Sequence, residues 1–158
     1  MIDLKTIRKQ KQMTLNDVSQ KCGLAISQIN RYETYFDIKN TSLQNVCKIA
    51  KGYDVLIWDL IDDENLKDDL REVIDYETGV FLDGDTSPFT EIKDIFGITQ
   101  KDIIEKSGIT QSQVSTWERR GMDKAKFKHF IIIAKAIKIN MFLLIWDEKL
   151  QNLFCEVT

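Results

Sequence analysis

Sliding the chain against itself by 85 positions brings Thr14 onto Thr99, Asp17 onto Asp102, Lys21 onto Lys106, Gly23 onto Gly108, Ser27 onto Ser112, Gln28 onto Gln113 and Glu33 onto Glu118. The chain is a tandem repeat. Conservative pairs fill the gaps in the pattern: Ile7 with Ile92, Val18 with Ile103, Leu24 with Ile109, Ile29 with Val114, and Tyr32 with Trp117. These read as core positions.

Apolar spacing gives each copy five short helices. In the first, Leu4, Ile7 and Arg8 mark one helix, Leu15 to Lys21 a second and Ile26 to Tyr32 a third. Leu43, Val46, Ile49 and Ala50 recur at three and four residues, as an amphipathic helix requires, and Val55 to Ile61 predicts a short apolar fifth. The second copy repeats the order as Phe89 to Phe96, Gln100 to Lys106, Gln111 to Glu118, Lys124 to Ala136 and Asn140 to Trp146, after a one-residue deletion following its third helix. Between the copies, Leu66, Leu70, Val73 and Ile74 form one stripe amid many acids, which predicts a connecting helix over Glu64 to Glu77 that docks on something. Gly79, Gly84, Asp85, Ser87 and the single proline, Pro88, then mark turns.

Thr99 to Gly121 is the most informative stretch. Thr99, with Asp102 three positions on, opens one helix with a hydroxyl acceptor and an early acid. Gly108 supplies the left-handed C-cap, and Thr110 can cap a second helix that carries Val114 and Trp117 one turn apart. Gln111, Ser112, Gln113 and Thr116 gain nothing from burial, and side chains of this kind can read base edges.

Thr99, Gln100, Ile103, Gly108, Ile109, Thr110, Val114, Ser115, Trp117 and Glu118 resemble the helix-turn-helix of the lambda-repressor and Cro (XRE) family, with Ile104 in place of the usual Ala. The resemblance implies an all-α protein of two tandem lambda-repressor-like five-helix domains, residues 1–61 and 89–158, joined by an acidic helical linker over 62–88. It also implies that the third helix of each copy lies in the major groove of double-stranded DNA. The reading positions carried over are Ile26, Ser27, Gln28 and Arg31 in the first copy and Gln111, Ser112, Gln113 and Thr116 in the second. Gln100 is placed to hold a phosphate, and Lys39, Arg119, Arg120, Lys124 and Lys126 lie in loops where the family meets the backbone. Arg8 with Glu33 and Lys93 with Glu118 occupy positions of a structural ion pair. The first copy departs from the pattern, since Leu15 stands where the phosphate-holding Gln is usual, and Ala25 and Ile26 replace a capping hydroxyl and a polar reader. Ile26 could touch a thymine methyl or belong to a protein-binding surface.

The net charge of −3 at first opposes a nucleic-acid partner, but it is unevenly distributed. Residues 1–61 carry 9 basic and 6 acidic side chains, 62–91 carry 2 and 11, and 92–158 carry 11 and 8, so both ends are basic around an acidic middle. Cys22, Cys47 and Cys155 are odd in number and lack a CxxC pair, which argues against a disulfide framework and a zinc site. His129 has no ligand partner at metal spacing and reads as a helix residue; the acids lack the glycine-punctuated spacing of a calcium loop. No phosphate loop or nucleophile elbow appears, so neither an enzyme nor a cofactor is expected. The absence of a long apolar run or leader pattern points to a cytoplasmic protein with no membrane partner.

These features point to a sequence-specific transcription regulator of the small kind found on phages and mobile elements. Its repeats differ at nearly every reading position, so its site should not be a palindrome for one chain. The apolar runs at Val55 to Trp58 and Phe142 to Trp146 predict either an intrachain pseudo-dimer or a homodimer formed through the fifth helices, with core packing as the plain alternative. A second possibility is a protein partner: a binding inhibitor on the same fold, similar to some anti-CRISPR proteins and antitoxins.

Overall fold

Side chains set the helix starts. Asp3 caps Leu4–Gln10 (α1), Thr14 caps Leu15–Cys22 (α2), and Thr99 caps Gln100–Ser107 (α7). In α2 and α7 the exchange is reciprocal: Thr14 Oγ1 accepts from Asp17 N–H while Asp17 accepts from Thr14 N–H, and Thr99 and Asp102 do the same. Gly23 and Gly108 close these helices at φ of 75° and 72°, a region costly to any residue with a Cβ.

The structure, a computed structural model, describes residues 2–77, 79 and 82–158. Among the described residues it is all-helical, with ten α-helices and no strand. The remaining α-helices are Ile26–Thr34 (α3), Leu43–Gly52 (α4), Glu64–Asp75 (α5), Pro88–Phe96 (α6), Gln111–Arg120 (α8), Phe127–Ile137 (α9) and Glu148–Val157 (α10). No helix among the described residues is long and apolar enough to cross a membrane.

In the first half, α2 packs on α3 and α4. A Cβ on Gly52 would stand 2.8 Å from Cys22 Cβ, so the glycine lets the end of α4 close on α2. Leu43, Val46, Ile49 and Ala50 are all buried along one side of α4, and each large one contributes about 1.5–3 kcal/mol. In the second half, α7 packs on α8 and α9.

The predicted fifth helices are not α-helices. They are 3₁₀ turns, Ile57–Leu60 and Met141–Leu144, each too short to complete more than about one turn. The first packs on α4, the second on α5, α6 and α9. The join is centred on an isolated antiparallel bridge between Ser42 and Lys126. Leu43 N–H donates to Ala125 O at 3.1 Å, and Phe127 N–H donates to Thr41 O at 2.8 Å. Past the one-residue deletion the repeat register is 84, so Thr41 corresponds to Ala125 and Leu43 to Phe127. The two bonds are one bond made twice, as an approximate two-fold axis requires. This bridge keeps Lys126 extended, which is why α9 starts at Phe127 and not at the expected Lys124.

Two helices complete the two-fold pattern. α5, the acidic segment, packs on α9 of the second half, and α10, a helix beyond the expected five, packs on α4 of the first. Their buried residues correspond in the same register: Leu66 to Leu150, Leu70 to Phe154 and Val73 to Val157. Each half therefore lays its last helix across the other. Trp58 Nε1–H donates to Thr158 O at 3.0 Å, and Asn140 Nδ2–H donates to the carbonyls of Ile74 and Tyr76, tying both crossings down.

Candidate nucleic-acid interface

α8 carries the better-built polar edge. Thr110 Oγ1 accepts from Gln113 N–H and starts the helix, while Val114 and Trp117 are buried on its inner face. Trp117 is wedged between Phe89 (centroids 6.2 Å) and His129 (5.5 Å). Burial, with Lys128 and Lys126 nearby, holds the His129 imidazole below its ordinary pKa. Lys93 pairs with Glu118, and Glu118 O accepts from the Ser87 and Thr90 hydroxyls, so the end of α8 is held against α6.

On the outer face Gln111 and Ser112 are exposed, and Gln113 and Thr116 are half-buried. Gln100 Nε2–H donates to Ser115 Oγ at 2.9 Å, and Gln111 Nε2–H donates to Gln100 Oε1 at 3.4 Å. This relay anchors Gln111 while leaving its carbonyl and a second N–H for another partner. Ser115, the foot of the relay, was part of the recognised pattern but had no assigned role. The Thr116 hydroxyl donates back to Ser112 O at 2.9 Å, which leaves its oxygen as an acceptor.

Arg119, Arg120 and Lys124 are exposed beside α8. Arg119 Nε–H reaches Ser115 O at 3.4 Å; Arg120 and Lys124 have no ion-pair partner among the described residues. They border a cleft of about 480 Å³ whose far side includes Gln44 of the first half and Leu150 of α10. Two acids also line this cleft, but Asp123 accepts from the N–H groups of Trp146 and Asp147, and Asp147 caps α10.

In the first half the corresponding edge is built from different chemistry. Arg8 Nε–H donates to Glu33 Oε1 at 2.6 Å, and Tyr53 Oη–H donates to the same oxygen at 2.8 Å, fastening α3 to α1 and α4. Ser27 and Arg31 are exposed, with the Arg31 guanidinium 5.7 Å from the Tyr32 ring centroid. Gln28 is engaged locally. With Ala25 unable to cap, the Gln28 carbonyl accepts from Ala25 N–H at 3.1 Å, which leaves both of its amide N–H groups for another partner. Lys39 pairs with Asp63, the N-cap of α5, at 2.8 Å on the surface.

The α2–Gly23–α3 geometry, two short helices meeting at a left-handed glycine with α3 held to α1 by the part-buried Arg8–Glu33 pair, is on the matched part of the chain. A helix-turn-helix family model matches residues 4–57. This helix-turn-helix match takes in α1 to α4, roughly the first third of the chain, and stops within the following 3₁₀ turn. The same order of elements recurs in α6 to α9. No curated protein and no solved structure matches the chain. Among the described residues no group of three or more His, Cys, Asp or Glu side chains could hold a metal ion.

Proposed function

We propose that the chain is a sequence-specific double-stranded DNA-binding transcription regulator, and that one chain acts as a pseudo-dimer of two helix-turn-helix units, reading the major groove with α3 and α8. The observation that carries this reading is the exposed edge of α8, where Gln111 is anchored through Gln100 and Ser115 beside three cations. An amide with one N–H engaged keeps the acceptor and donor that an adenine edge matches. The two-fold pairing about Ser42 and Lys126 further supports it, since related reading helices suit half-sites about 34 Å apart. The match over residues 4–57 favours the same reading for α3.

Selection from random duplexes, followed by affinity measurements across a salt series, tests it. The expected result is an enriched, non-palindromic site bound by one chain per duplex, with affinity falling steeply as salt rises. No retention of any duplex overturns it. One observation favours the second reading, a protein-binding inhibitor on the same fold: Ile26, at the head of α3, is 42% exposed. That reading predicts no appreciable duplex affinity at any salt.

A further inference from the structure

Resting on the DNA-binding reading above, we infer that the first half holds the duplex backbone through the uncharged hydroxyl of Tyr35 at the position where the second half uses Arg120. Tyr35 follows α3 as its C-cap, and in the repeat register it corresponds to Arg120, the last residue of α8. It is 63% exposed, and its hydroxyl has no hydrogen-bond partner among the described residues. Grooves of about 250 and 350 Å³ flank it, so the ring stands as a ridge between two hollows.

The neighbouring positions follow the same rule. Arg119 corresponds to Thr34, whose hydroxyl donates to Asn30 O, and Lys124 corresponds to Asn40, whose amide donates to Asp37 at 2.6 Å. Lys39, the cation the first half does have in this loop, is paired with Asp63. At these three positions the second half carries cations and the first half neutral side chains. Tyrosine hydroxyls donate to phosphate oxygens in the same way as arginine N–H groups, but they displace no counterion. The contact strengthens binding and adds nothing to its salt dependence.

The test is the affinity of the full chain for its selected duplex, measured against KCl concentration for wild type, Tyr35→Phe and Arg120→Gln. Tyr35→Phe should lower affinity about three- to ten-fold at every salt concentration, the loss of one hydrogen bond, with an unchanged slope of log affinity on log salt. Arg120→Gln should flatten that slope by about 0.9. Thermal melting should be the same for Tyr35→Phe and wild type, since the hydroxyl supports nothing inside the fold. Unchanged affinity for Tyr35→Phe, an altered slope for it, or an unaltered slope for Arg120→Gln overturns the inference. Failure of wild type to bind any duplex overturns the DNA-binding reading instead.

Discussion

Lys51 on α4 meets Glu156 on α10 at 3.7 Å across the join between the two halves. Its counterpart 84 residues on, Lys135 of α9, meets Glu72 of α5 at 3.6 Å. Exposed pairs of this kind contribute at most about 1 kcal/mol, so they mark the two-fold relation and the apolar residues beneath them hold it. Leu66, Leu70 and Val73 on one crossing helix and Leu150, Phe154 and Val157 on the other are all buried.

Ending the chain at Asp147 should therefore destabilise the half that is distant in sequence. Losing Leu150, Phe154 and Val157 uncovers α4, at a cost of at least about 4 kcal/mol. Hydrogen exchange at Val46 to Ala50 should accelerate and the melting temperature should fall. Unchanged protection of α4 would show that α10 is not its cover.

The Arg8–Glu33 pair gives stability a defined pH dependence. Burial alone would raise the Glu33 carboxyl, but hydrogen bonds from Arg8 and Tyr53 outweigh it and hold the group below the ordinary carboxylate value of 4.5. A folded-state pKa below the unfolded one means that the stabilisation is complete above the unfolded value and is lost as pH falls through the folded one. Glu33→Gln should cost about 2–3 kcal/mol at neutral pH, measured by urea unfolding. The gap to wild type should narrow as the pH falls below about 4.5.

Within the relay, reader and anchor should separate. Gln111→Ala should weaken binding to the selected duplex by about 1–3 kcal/mol and relax the preference at one base pair. Gln100→Leu, which installs the residue that Leu15 supplies in the first half, should cost less and leave the base preference in place. Equal losses in competition binding would show that the relay acts as one unit.

The cysteines should sort by burial. Cys22 and Cys47 are buried and Cys155 is exposed; burial pushes the Cys47 thiol up to about 12. A thiol reagent at neutral pH should label one cysteine rapidly in the native chain and all three in denaturant.

Much of this architecture was legible in the sequence because its signals are local. The Thr–Asp capping boxes, Gly23 and Gly108, and the buried stripe of α4 each depend on residues within a turn or two of one another. The Arg8–Glu33 and Lys93–Glu118 pairs were legible through the resemblance to a known helix-turn-helix. What escaped was long-range. α10 carries a capping Asp147 and apolar residues at helical spacing, but its likeness to α5 emerges only in the register of 84 that holds beyond the deletion. Which apolar faces meet across the join depends on backbone pairing at Ser42 and Lys126, two residues with no chemistry in common. At the candidate interface the local contacts of Gln28 and Thr116, three and four residues away, follow helix spacing, whereas the pairing of Lys39 with Asp63, 24 residues on, does not.

Because each half rests its final helix on the opposite one, neither is dispensable, and heating should melt the molecule in one cooperative event. That mutual dependence lies inward. The outward edges of α3 and α8 are exempt from it, so substitutions there can alter what is recognised while the shared interior is left intact.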